Sequence, residues 1–213
     1  MTSDSRAQRP SRDSILAAAG EIFAERGYEA ATIKEITDHA GVNVASVNYY
    51  FRDKLGLYTE VLRLCVCNGR VVMPGDAPDS PEARLAAYIA SFMKYLLVAG
   101  KPSWSGRLVI RELAAPTQAF SGIVEEIIKP NLQLLRGLVA DVAGCALEEE
   151  SLSMLTHGVH AQCVYWKTSR AIFPYLWPAL NFDEAQVGRI AAQIANFSIA
   201  GIRATAAAVS DKP

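Results

Sequence analysis

Apolar residues recur every three to four positions through most of the 213-residue chain, and no strand-length run alternates convincingly, so the pattern predicts helices throughout. Over 11–26, Ile15, Ala19, Ile22 and Phe23 share one face, and Gly27 followed by Tyr28 predicts a helix stop with its hydrophobic cap contact. Thr32 and Glu35 form a capping box that opens a second helix, with Ile33, Ile36 and Ala40 on one face. Gly41 ends that helix, and the side-chain oxygen of Asn43 opens a third, in which Val47 and Phe51 point inward at i and i+4. Asp53 then caps a fourth helix on Leu55, Tyr58, Val61, Leu62 and Cys65 that continues toward Gly69.

Residues 73–80 are a loop by composition, and Ser80-Pro81-Glu82 places an N-cap, an N1 proline and an early acid at the head of a helix over 81–99. A break at Gly100-Lys-Pro follows, then helices over 104–115, 117–144 with a kink at Pro130, 147–170 and 183–208. An aromatic and proline-rich corner from Phe173 to Pro178 precedes the last of them. The expected fold is all-α: an N-terminal three-helix bundle over 1–52 and a C-terminal helical bundle over 53–213, about nine helices in total. The last helix gathers Val187, Ile190, Ala191, Ile194, Phe197, Ser198 and Gly201 on one wide face, which must be covered by its own subunit or by a second copy.

Two helices this short, bent tightly about Gly41, have the geometry of a helix-turn-helix, in which the second helix enters the major groove of DNA. Its outward face holds Ala45, Ser46, Asn48 and Tyr49, small, polar and aromatic with no acid, suited to close approach and to hydrogen bonds with phosphates or base edges. Charge adds little to this picture. The net charge is −1, and the first 60 residues hold 7 Lys and Arg against 9 Asp and Glu. Distribution matters more than the total, because Arg6, Arg9, Arg12, Lys34, Arg52 and Lys54 flank the expected DNA face.

From Ala40-Gly-Val-Asn-Val-Ala-Ser-Val-Asn-Tyr-Tyr-Phe-Arg-Asp-Lys54, with Leu57-Tyr58 after it and Thr32-Ile-Lys-Glu-Ile36 before it, the chain resembles the TetR family of bacterial one-component regulators. The resemblance implies that Thr32 and Tyr50 contact phosphates and that Lys54 holds the DNA backbone. It places Lys34, Val44, Ala45, Ser46, Asn48 and Tyr49 in or over the groove. Leu55 replaces the usual acid after Lys54, and Asn48 stands where an aromatic is frequent. Farther along, Arg111-Glu-Leu-Ala-Ala-Pro-Thr117, Ile128-Lys-Pro130, Gly158-Val-His-Ala-Gln-Cys163 and the Leu-Trp-Pro178 corner are similar to the CecR-like subgroup.

The expected function is therefore a ligand-responsive transcriptional regulator, most simply a repressor. It binds a palindromic double-stranded DNA operator as a homodimer through its last two helices, and a small-molecule effector releases it. The alternative is a helical ligand- or protein-sensing module whose DNA binding is vestigial. Trp104, Arg107, Gln162 and Trp166 are the candidates for lining an effector cavity, with Arg111, Glu112, Tyr165 and Arg170 near them in sequence. The competing reading makes the aromatics core and the charges paired or solvated. His157, His160 and Cys163 recur at i, i+3 and i+6 without an obvious fourth ligand, so structural roles are favoured over a metal site. No cofactor or catalytic motif is present: there is no phosphate loop, dinucleotide glycine pattern or nucleophile elbow. Residues 1–12 lack the apolar stretch of a secretory signal, and no apolar run reaches the ~20 residues of a membrane span. The four cysteines form no short disulfide framework, which fits a cytoplasmic protein.

Overall fold

The computed structural model describes residues 12–66, 80–98 and 102–210. Arg6 and Arg9, the expected end of the fourth helix near Gly69, most of the 73–80 loop and the break at Gly100 lie outside the described residues. Eleven α-helical segments and no strand occur among the described residues: α1 Arg12–Ala30, α2 Ile33–Ala40, α3 Val44–Phe51, α4 Lys54–Val66, α5 Pro81–Leu97, α6 Ser105–Ala114, α7 Gln118–Ile123, α8 Lys129–Ala143, α9 Glu149–Thr168, α10 Phe173–Leu176 and α11 Glu184–Ser210. They form two compact units. One holds α1–α4, α6 and α7; the other holds α5 and α8–α11. Packing thus groups α4, α6 and α7 with the first three helices, a different line from the division by role at residue 52.

In the first unit Ile15, Phe23, Ile36, Val47, Phe51, Leu57, Tyr58 and Val61 are buried together at the spacings that the helical pattern requires. Phe23 meets Tyr58 edge-on with 4.8 Å between centroids, and Tyr28 lies 4.9 Å from Tyr58, so three rings lock the end of α1 to α4. Trp104, just before α6, lies flat on α1 at Gly20, where a Cβ would fall 2.1 Å from the indole. Only glycine admits this ring.

Helix α1 does not end at Gly27 as its sequence suggests. The regular geometry breaks there, at φ 80 and ψ 174, and helical turns resume to Ala30. That backbone conformation is one essentially reserved for glycine. The 117–144 helix also differs from expectation. The break precedes Pro130, as a π-helical turn over Val124–Ile128 between α7 and α8. Proline lacks the N–H and crowds the preceding turn, and a wider π turn absorbs both effects. The corner after Ile172 contains the short helix α10, which sequence pattern did not reveal.

The second unit buries Leu85, Ile89 and Met93 of α5 with Leu135 and Val139 of α8, Val159 and Cys163 of α9, and Val187, Ile190, Ile194 and Ile202 of α11. The caps of α5 and α4 are as the sequence reads, Ser80 Oγ accepting from Ala83 N at 3.2 Å and Asp53 Oδ1 from Gly56 N at 2.8 Å, and Asp183 Oδ1 caps α11 in the same way, accepting from Gln186 N at 2.7 Å. The wide face of α11 divides. Val187, Ile190, Ala191, Ile194 and Ser198 are buried in their own unit, while Phe197 and Gly201 at its edge are exposed. No helix among the described residues is long and apolar enough to cross a membrane.

Candidate nucleic-acid interface

Thr32 opens α2 with a reciprocal cap: Glu35 N donates to Thr32 Oγ1 at 3.2 Å and Thr32 N donates to Glu35 Oε2 at 3.0 Å. These bonds from Thr32, with the Arg26 guanidinium as a smaller influence, hold the Glu35 carboxyl below its ordinary pKa. Gly41 takes the left-handed conformation at φ 66 and ψ 35, and Val42 N closes on Thr37 O at 2.9 Å. Asn43 Oδ1 then accepts from Ala45 N at 2.9 Å, so α3 starts two residues after the turn. The sequence therefore builds a helix-turn-helix from two caps and one glycine.

Val47 and Phe51 anchor α3 in the core and turn the other side outward. Val44, Ala45, Asn48, Tyr49 and Tyr50 are exposed, with Thr32 and Lys34 on the neighbouring helix, while Ser46 is half-buried. Tyr49 is 82% exposed; the bundle does not use it, and among the described residues its ring meets only that of Tyr50, edge-on at 5.0 Å. Lys34 lies 3.8 Å from Asp38, both in solvent, a pair worth little. Lys54 is half-buried and already engaged: Nζ donates to Glu29 O at 3.1 Å and sits 4.6 Å above the Tyr28 ring. Its charge is thus fixed at the start of α4 by the end of α1.

Arg111 and Glu112, adjacent on α6, take the paired alternative. Arg111 Nη2 donates to Glu25 O at 3.1 Å, beside the Gly27 break. Glu112 accepts from Tyr58 OH at 2.5 Å and from Thr117 N and Oγ1 at 2.7 and 2.8 Å. Burial and the Glu112 hydrogen bond and charge push the Tyr58 phenol well above its ordinary pKa, so it stays a donor. The sequence shows these residues only as polar interruptions of an apolar helix. Their pairings, across 86 and 54 positions, carry no local signal.

The four candidate effector residues divide between the units. Trp104, 3% exposed, packs on Gly20, and Arg107 is exposed. In the second unit Gln162 Nε2 reaches Ser198 Oγ at 3.3 Å, and Trp166 stacks on Phe173 with 4.8 Å between centroids. His157 Nδ1 faces Ser153 O at 2.8 Å, His160 stacks on Phe92, and Cys163 is buried in the core with its thiol pushed up to about 12. These three side chains have separate partners.

Comparison with known proteins bears on the whole chain. Residues 15–61 match the family described as bacterial regulatory proteins, tetR family, and residues 81–202, more than half the chain, match the C-terminal domain of the HTH-type transcriptional dual regulator CecR. The CecR protein of Shigella flexneri is 26% identical over 182 residues, spanning 80% of this chain and 81% of its own. The HTH-type transcriptional repressor KstR2 of Mycolicibacterium smegmatis is 37% identical over 84 residues, 38% of this chain and 41% of its own. Among solved structures, the transcriptional regulator FadR of Bacillus subtilis, in complex with stearoyl-CoA, shares the fold with a TM-score of 0.65 at 17% identity, covering 90% of this chain and 99% of that one. The matched families are transcriptional regulators and not enzymes. A capped helix-turn-helix matched by one family and residues 81–202 matched by the other leave one assignment: the chain belongs to the TetR family of bacterial transcriptional regulators, among those with a CecR-type C-terminal domain.

Proposed function

We propose that this regulator is a cytoplasmic homodimeric repressor that binds a palindromic operator and is released by a small-molecule effector. The observation that carries the reading is the outward face of α3, where Tyr49 stands 82% exposed on a helix whose other side is core. By role, residues 1–52 read DNA and residues 53–213 dimerise and bind effector. Thr32, Tyr50 and Lys54 meet phosphates, while Lys34, Val44, Ala45, Ser46, Asn48 and Tyr49 lie in or over the groove. Two such helices address half-sites about 34–36 Å apart.

The effector contacts Gln162 and Trp166, because Trp104 is taken up by Gly20 and Arg107 faces solvent. A regulator of this fold has been solved with stearoyl-CoA, which supports a small-molecule ligand as the signal. Such a ligand weakens DNA binding by the ratio of its affinities for the free and DNA-bound states.

A gel shift on the DNA flanking the gene tests the reading. Tyr49→Ala, which removes a side chain the fold does not use, abolishes the shift and leaves the dimer and the melting temperature unchanged. Lys54→Ala also abolishes it, at some cost in stability because Glu29 O and Tyr28 lose their partner. A wild-type protein that shifts no flanking fragment supports the sensing module with vestigial DNA binding. Deleting the gene raises transcription from the bound promoter; a fall makes the protein an activator. A compound that quenches Trp166 but leaves operator affinity unchanged removes the release mechanism.

A further inference from the structure

Between α3 and α4 the chain reverses through Arg52, the single non-glycine residue with positive φ among the described residues, at φ 74 and ψ −54. The turn is tight. Arg52 N donates to Asn48 O at 3.1 Å, and Phe51 O lies so near the next helix that a Cβ at Gly56 would come within 2.0 Å of it. A left-handed residue is needed there, and glycine or asparagine fills such a position with less strain than arginine. The chain has arginine, and nothing in the first unit rewards it. The Arg52 side chain is exposed, and its guanidinium makes no hydrogen bond, ion pair or ring contact among the described residues.

Its surroundings explain the choice. Arg52 lines an open cleft of about 650 Å³ together with Tyr50, Asp53, Arg12, Glu60 and Arg63. Arg12 and Arg63 both pair with Glu60, and Arg12 also lies over the Phe51 ring. Lys54 is held by Glu29 and Tyr28, and Lys34 is near Asp38. Arg52 is therefore a cation beside the helix-turn-helix, two residues from Tyr50, whose guanidinium has no partner among the described residues.

We propose that Arg52 is a DNA-backbone contact: its guanidinium takes a phosphate of the strand that passes Tyr50, and this interaction offsets the strained turn. The inference rests on the DNA-binding reading above. In a protein whose helix-turn-helix is not basic, one unanswered arginine per protomer carries a large share of the electrostatic affinity.

Strain and charge make opposite predictions for one substitution. The probe is a duplex that the full-length wild-type protein enriches from a random-sequence pool, with an unenriched duplex as control, and Kd is measured from about 50 to 200 mM salt. Arg52→Gly melts at or above the wild-type temperature, because glycine fits φ 74. It binds the enriched duplex about tenfold more weakly, and the slope of log K against log salt falls by about 2 per dimer. Binding to the control duplex weakens in proportion, since a phosphate contact reads no sequence. Arg52→Lys keeps most of the affinity, and Arg52→Ala loses it without the gain in melting temperature. Wild-type affinity and salt slope in Arg52→Gly overturn the proposal, as does an equal loss in Arg52→Lys. Failure of the wild-type protein to enrich any duplex strikes instead at the DNA-binding reading.

Discussion

Glu112 is 2% exposed, and each of its carboxylate oxygens is occupied: one by the Tyr58 hydroxyl, the other by the backbone and hydroxyl of Thr117. A buried charge is tolerable only when its hydrogen bonds are complete, and here they are. The same carboxylate holds Thr117, whose own Oγ1 caps α7 by accepting from Ala119 N at 3.3 Å. Beside it, Arg111 bonds the α1 backbone at Glu25, so two adjacent residues of α6 hold α1, α4 and α7. Glu112→Ala leaves the Tyr58 hydroxyl and the Thr117 N–H buried without partners, at about 1–3 kcal/mol each, and destabilises the protein by about 3 kcal/mol in denaturant titration. Glu112→Gln keeps an acceptor for Thr117 and costs about 1 kcal/mol. Equal losses for the two substitutions would show that Thr117 does not depend on the acceptor. Gly27 depends on Arg111 in turn. A Cβ there would lie 2.8 Å from Nη1, on a backbone at φ 80, so Gly27→Ala disturbs both the turn and the guanidinium.

The helix-turn-helix is set at the scale of elements by its caps, since α2 and α3 have eight residues each, too few to be stable alone. Thr32→Ala removes the side-chain half of the α2 capping box and costs about 1 kcal/mol. It also makes acid stability less steep. Glu35 has a folded pKa below its unfolded value, so its contribution is present above the unfolded pKa and is lost as pH falls through the folded one. The wild-type protein therefore loses this contribution below about pH 4.5, and Thr32→Ala loses less of it, which thermal melts between neutral and acid pH measure. These caps were legible in the sequence, as were Ile15, Phe23, Ile36, Val47, Phe51, Tyr58 and Val61 as inward residues of α1–α4, because each follows from neighbours within four positions. The π turn and α10 were not legible. The first is a compromise between Pro130 and the helices on either side, and the second is a single turn too short for periodicity. Arg52 was legible only as one of the cations flanking the expected DNA face; its positive φ was not, since arginine carries no turn signal and only the tight passage between Phe51 and Gly56 imposes its backbone. Lys54, Tyr49 and Tyr50 were proposed from the motif; the hold of Glu29 and Tyr28 on Lys54 carries no such signal.

At the scale of the whole molecule, an eight-residue reading helix contacts few bases, and affinity for a particular site requires a second copy in fixed register. The second unit has a surface suited to that purpose. Phe197 is 67% exposed on α11, with Ala200, Gly201 and Ala204 exposed beside it, and Met154, Gly158, Ala161 and Tyr165 are exposed along α9. A large ring set among small residues suits a two-fold contact, in which the Phe197 of each copy would meet the small residues of the other. Because Phe197 contributes little to its own unit, Phe197→Glu leaves the melting of the separated protomer close to that of the wild type. It places two carboxylates in an apolar contact, so the dimer dissociates in sedimentation at micromolar concentration. Operator affinity then falls by about two orders of magnitude as the second half-site becomes independent. Gly201→Leu acts at the same contact by bulk instead of charge, and the two together separate repulsion from overpacking. If both variants sediment as dimers and bind operator like the wild type, the copies meet through another face, and the spacing of the two α3 helices is set elsewhere.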